Sequence, residues 1–114
     1  MLDTNPTVMQ RAAGRAVVRL TDAGGVTRLA GLRQEGSAKA ILPRTHGGPV
    51  EVVFLNTAGG LTGGDRFSYD LTVEAGAHAV ATTQTAERAY ASAGGRAEVA
   101  VRLTAGPAAR LDWL

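Results

Sequence analysis

The sequence predicts an all-β fold with little helix, built as antiparallel stacked sheets in a coil-like arrangement, and three observations carry that reading. Apolar side chains recur at every second position in two stretches, 66–74 and 96–104. Glycine-containing clusters punctuate the chain at short, regular intervals from residue 14 onward. No stretch reads as a long helix, and Thr85 to Ala91 offers one helical turn at most.

Each element follows from local pattern. In 66–74, Phe67, Tyr69, Leu71 and Val73 alternate with Arg66, Ser68, Asp70, Thr72 and Glu74. Successive strand side chains point to opposite faces, so these four apolar residues are predicted to share one buried face. In 96–104, Ala97, Val99, Val101 and Leu103 alternate with Arg96, Glu98, Arg102 and Thr104, with Ala100 breaking the polar side, and one buried face is again expected. Weaker strand patterns cover 15–21, 26–32, 37–42, 50–56, 77–83 and 108–113. The turns fall at Asp22-Ala23-Gly24-Gly25, His46-Gly47-Gly48-Pro49, Glu74-Ala75-Gly76-Ala77, Ala93-Gly94-Gly95-Arg96 and Ala105-Gly106-Pro107, where glycine reaches positive φ without steric cost. A short echo relates two of them. Leu71, Val73, Ala75-Gly76 and Ala79 recur 30 residues later as Val101, Leu103, Ala105-Gly106 and Ala109, which reads as stacked hairpins of similar construction.

The chain of 114 residues has room for one domain. Residues 1–13 read as a flexible polar arm and 14–114 as a single β-rich domain. Apolar residues make up 45%, but aromatics only 4%, and alanine supplies much of the rest, so the core is predicted to be thin. A net charge of +2 comes from basic residues scattered from Arg11 to Arg110, with Lys39 the only lysine. Nothing concentrates them into a nucleic-acid footprint. The absence of cysteine excludes disulfides, iron–sulfur ligation and thiol catalysis, and fits a reducing compartment. Met1 to Arg15 has no continuous apolar core of a signal peptide, and the longest aliphatic–aromatic run is Val52-Val53-Phe54-Leu55, far below the ~20 residues of a membrane span. The expectation is a soluble cytoplasmic protein with no membrane contact.

Two local features stand out. Gly59, Gly60, Gly63 and Gly64 crowd one loop that ends on Asp65. Gly59 and Gly64 have the spacing of a phosphate loop, but Asp65 stands where lysine is needed and a strand pattern follows instead of a helix. A wide structural turn, a protein-contact loop and a small-ligand cradle all remain open from the residues alone. The second feature is the polar run Thr82, Thr83, Gln84, Thr85, Ala86, Glu87, Arg88, Ala89, Tyr90. Its threonines lack a base at any spacing that would activate them, and it reads as a polar strand edge entering a turn. His46 and His78 are the only histidines and form no metal-ligand spacing. No pair of carboxylates is placed across a cleft by any pattern.

Taken in order, these features resemble a known family. Gly59-Gly60-Leu61-Thr62-Gly63-Gly64-Asp65 resembles the G-G-x-x-G-G-D signature of the UreD (UreH) urease accessory proteins. Thr82-Thr83-Gln84, Ala86, Arg88 and Tyr90 resemble the second signature of that family at the expected distance downstream. Leu32-Arg33-Gln34-Glu35-Gly36, Lys39 and Leu42-Pro43-Arg44 are similar to its N-terminal region, and Leu111-Asp112-Trp113-Leu114 to the start of its next segment. Arg88 stands where many members carry lysine, and Ala91 follows Tyr90 where they carry a basic residue. Members are more than twice this long, so the resemblance implies an N-terminal portion or a truncated member.

The resemblance further implies a non-enzymatic role. Family members are nickel-insertion chaperone scaffolds that bind the urease apoprotein, a helical accessory protein of UreF type and an accessory GTPase of UreG type. Nickel is then cargo for urease, and GTP belongs to the partner, so no cofactor, catalytic residue or metal ligand is expected on this chain. Gly59, Gly60, Gly63, Gly64, Asp65, Thr82, Thr83, Gln84, Arg88 and Tyr90 become partner-contact or structural residues. The competing expectation is a small-ligand-binding β domain, or an enzyme, using the glycine-rich loop 59–64.

Overall fold

The computed structural model describes residues 13–43, 48–56, 66–84 and 98–114. They form eight strands: β1 (Ala13–Ala23), β2 (Val26–Gly36), β3 (Ala38–Ile41), β4 (Val50–Asn56), β5 (Arg66–Val73), β6 (His78–Thr83), β7 (Glu98–Ala105) and β8 (Arg110–Trp113). The first sheet has the order β2-β1-β5-β7 and the second β3-β4-β6-β8. No helix occurs among the described residues, and the predicted turn at Thr85 to Ala91 lies outside them.

The all-β reading is borne out, but the antiparallel one needs correction. Only β1–β2 and β3–β4 pair antiparallel, while β1–β5, β4–β6, β5–β7 and β6–β8 are parallel. The physical reason lies in the turns. The two-residue turn at Gly24-Gly25, with φ of 66° and 89°, reverses the chain within one sheet and gives a hairpin. Later connections carry the chain across to the opposite sheet. From β4 onward the strands alternate between sheets, so those that come to lie side by side are two elements apart and run the same way. The echoed segments are accordingly arches between sheets, not hairpins.

The inner faces meet in one core. The first sheet contributes Ala16, Val18, Leu20, Phe67, Tyr69, Leu71 and Val73, and the second Ala38, Val52, Phe54, Ala79 and Ala81. As predicted, the four alternating residues of β5 share one buried face, with Phe67 at 2% exposure and Tyr69, Leu71 and Val73 at 0%. The Phe54 ring stacks on Tyr69 across the sheets, with centroids 5.0 Å apart. Alanines fill the second sheet's half opposite these larger residues, which keeps the layer thin and the packing close.

Close approach at one corner fixes how β2 hands the chain to β3. A Cβ on Gly14 would collide with the backbone nitrogen of Ala38, and one on Gly36 with the carbonyl oxygen of Ala13. Gly36 also has φ of 65°, a conformation that a side chain disfavours. The Ser37 N–H closes the corner by donating to the Ala13 carbonyl at 3.2 Å. Ala13 is thus part of β1, one residue inside the stretch read as an arm.

The second alternating stretch departs from expectation. β7 is a strand, but every residue in it is exposed, including Val99, Val101 and Leu103. These three lie in register with Phe67, Tyr69 and Leu71, so they face inward as predicted. They stay wet because, among the described residues, β7 is the edge of its sheet and only short β8 lies at the matching edge of the other.

Candidate functional site

Both signature segments are anchored at the same end of the sandwich. The glycine loop is flanked by Asn56 at the end of β4 and Arg66 at the start of β5. The second signature begins within β6, whose last residues are Thr82 and Thr83, with Gln84 just after it, and β7 starts downstream at Glu98. β4 and β6 are neighbours in one sheet, and the Gln84 N–H donates to the Phe54 carbonyl at 2.7 Å. β5 and β7 are neighbours in the other, with Arg66 in register with Glu98 and their side chains 3.7 Å apart. Two signatures separated in sequence therefore leave from adjacent strands and return to adjacent strands.

Gly59, Gly60, Gly63, Gly64, Asp65, Arg88 and Tyr90 lie outside the described residues. Of the remaining predicted site residues, Thr82 and Thr83 end β6 and Gln84 follows them. The Thr82 hydroxyl donates to the Leu114 carbonyl at 3.4 Å, a link between β6 and the chain just past β8. An open groove of about 560 Å³ lies where β1, β5 and β7 begin, lined in part by Gly14, Arg15, Arg66, Phe67, Ser68 and Glu98.

Charge is organised on the outer face of the first sheet in a way the sequence did not disclose. Asp70 lies between Arg15 at 3.1 Å and Arg102 at 3.9 Å, joining β1, β5 and β7. Arg19 reaches Glu74 at 3.3 Å. The polar half of the strand alternation announced these residues, but their partners are 32 and more positions away and follow only from the strand register.

His78, which the sequence ties to no metal-ligand spacing, sits half-buried at the start of β6. Its Nε2 is 3.4 Å from the Asp112 carboxylate, which Arg110 also approaches at 3.3 Å. The His78 backbone N–H donates to the Thr27 hydroxyl at 2.9 Å, so that hydroxyl serves as a strand cap. Among the described residues no three histidine, cysteine or acidic side chains gather in a way that would hold a metal ion. The described surface carries ion pairs and an open groove. No helix among the described residues is long and apolar enough to cross a membrane.

Comparison with known proteins gives one consistent answer. The sequence pattern of the UreD urease accessory proteins matches residues 12–114. The urease accessory protein UreD of Dinoroseobacter shibae is 59% identical over 107 residues, covering 93% of this chain and 38% of that protein. That of Cereibacter sphaeroides is 57% identical over 106 residues, again 93% of this chain and 38% of the relative. That of Jannaschia sp. is 53% identical over 114 residues, 100% of this chain and 41% of the relative. The chain spans about two fifths of the length of these curated relatives. On this match, which runs through all eight strands, the chain belongs to the UreD urease accessory protein family.

Proposed function

We propose that the chain serves urease maturation as a non-enzymatic scaffold in the cytoplasm, helping to assemble the nickel centre of the urease apoprotein. The observation that carries this reading is the match of residues 12–114 to the UreD accessory proteins. The pairing of the strands that flank both signature segments supports it, since Asn56 ends β4 and Gln84 follows its neighbour β6, while Arg66 and Glu98 open neighbouring β5 and β7. The partners are the urease apoprotein, a helical accessory protein of UreF type and an accessory GTPase of UreG type. GTP chemistry belongs to the last of these, nickel is cargo, and this chain keeps no cofactor of its own.

The test is co-purification. Tagged chain, mixed with apo-urease and the two accessory proteins, is expected to recover all three, with urease nickel content measured in parallel. Gly60→Val and Gly63→Val are expected to abolish recovery, because valine disfavours the positive φ that glycine turns use. Asp65→Asn is expected to preserve it, because an amide oxygen still accepts hydrogen bonds. Failure of the unaltered chain to recover any partner overturns the proposal. Recovery with lost nickel loading in Asp65→Asn assigns that carboxylate a direct part in metal transfer.

A further inference from the structure

Each sheet has two edges, and among the described residues only one is both long and regular. β3 and β8, the edges of the second sheet, are four residues each. β2 is long but bulged, because its register with β1 passes from Arg19–Gly31 to Leu20–Leu29 and leaves Ala30 over. β7 is eight residues long, holds unbroken register with β5, and contains neither proline nor lysine. It thus lacks the devices that blunt an edge against pairing. Its backbone is also set for a further partner. The Gly106 N–H donates to the Val73 carbonyl, so by alternation Glu98, Ala100, Arg102 and Thr104 turn their backbone groups to β5. Val99, Val101 and Leu103 turn theirs to the open side, and their side chains are exposed as well.

We propose that a second copy of the chain pairs with this edge, β7 against β7 and antiparallel, about a two-fold axis perpendicular to the sheet and centred on Ala100. The charges choose both occupant and register. The two copies share one inward face, so odd-numbered residues must oppose odd ones and even-numbered residues even ones. Centred on Glu98 or on Arg102, the pairing sets like charges face to face. Centred on Val99, Val101 or Leu103, it opposes no charges at all. Centred on Ala100, it sets Glu98 of each copy opposite the partner's Arg102, twice. Ala100 then meets its own copy at a non-hydrogen-bonded position, where side chains come closest and a methyl group fits. Val99 of each copy opposes the partner's Val101, and these two pairs exchange their main-chain hydrogen bonds. The new ion pairs extend those already within each sheet, Arg66 with Glu98 at 3.7 Å and Arg102 with Asp70 at 3.9 Å, into one ladder across both copies. Such an isologous contact closes at two copies. A single pair of strands buries less than a standard interface, so the dimer is weak, with Kd on the order of 100 µM.

Sedimentation velocity of the 114-residue chain from about 5 to about 500 µM brackets that value. The expected result is a reversible monomer–dimer equilibrium. Glu98→Arg and Arg102→Glu each set like charges at both contacts and raise Kd by about tenfold. Mixing these two variants in equal amounts restores association as a heterodimer, because each supplies the charge the other lacks, and the double variant restores the homodimer. Val101→Pro abolishes the dimer. The Val101 N–H points to the open side, so proline costs the pairing with β5 no hydrogen bond but removes donors from the new ladder. Lys39→Glu, on β3 of the other sheet, leaves the equilibrium unchanged, and thermal melts establish that each variant is folded. Where Val101→Pro fails to fold, the charge exchange decides alone. A chain that stays monomeric throughout overturns the proposal. A dimer that survives folded Val101→Pro overturns it as well, and so does one that neither charge variant weakens.

Discussion

Strands β5 and β6 and strands β7 and β8 trace the same path 32 residues apart. Arg66 pairs with Glu98 and His78 with Arg110, so the offset is constant through both sheets. Their turns stack on one another, with the Gly76 N–H donating to the Pro107 carbonyl and the Gly106 N–H to the Val73 carbonyl. The same register sets Gly76 against Ala108, and both have left-handed backbone, with φ of 79° and 59°. Burial separates the two copies. Leu71 is completely buried, whereas its cross-strand neighbour Leu103 is 40% exposed. Alternation dictates which way a side chain points. Whether that direction is dry depends on what stands on both flanks and opposite, and β5 is flanked on both sides where β7 is not.

Matched substitutions in the two copies sharpen this contrast. The largest difference is expected between Leu71→Ala and Leu103→Ala. The first opens a cavity in the core and should cost about 2–5 kcal/mol, and the second about 1 kcal/mol or less. Denaturant midpoints compare them directly, and equal losses would mean that β7 is as buried as β5 in solution. Next come the turns, where opposite signs are expected. Gly76→Ala forces a side chain into left-handed backbone and should cost about 1 kcal/mol, while its Cβ would come within 3.3 Å of the Asp22 carboxylate. Ala108→Gly relieves the same strain and should raise stability by up to about 1 kcal/mol, read as an increase in Tm. The smallest effect belongs to the charge ladder that ties the copies together. Asp70→Asn weakens its links to Arg15 and Arg102, both of whose side chains are more than half exposed. The expected loss is below about 1 kcal/mol and smaller still at high salt.

The echo seen in the sequence shows how far pattern alone can reach. It aligns Leu71 with Val101 and Ala75-Gly76 with Ala105-Gly106, an offset of 30. The structural offset is 32, pairing Leu71 with Leu103. A slip of two residues keeps every side chain on its own face, so the echo gave the correct faces and the wrong partners. Gly106 attracts the alignment because it is a glycine, yet the left-handed turn position of the second copy is occupied by Ala108. Gly106 serves instead as a close-approach point, since a Cβ there would lie 3.0 Å from the Ala75 nitrogen. The candidate site divides in the same way. Its motifs were legible because glycine clusters and ordered signatures are local. The adjacency of their anchors depended on β4–β6 and β5–β7 pairing, which no local pattern encodes.

By itself, the sequence determined the β class, the inward face of β5, the alanine-rich core and the family, because period-two alternation, composition and motif order are properties of neighbouring residues. Tertiary structure decided that four of the six strand pairings among the described residues are parallel, that β7 lies wet at an edge, and which charges meet across neighbouring strands on both outer faces. The reason is that a turn's sequence marks where the chain bends, while the choice between returning to the same sheet and crossing to the other rests on long-range packing. At the corner of Gly14, Gly36 and Ala38 that choice is visible as a backbone contact too close for any side chain to enter.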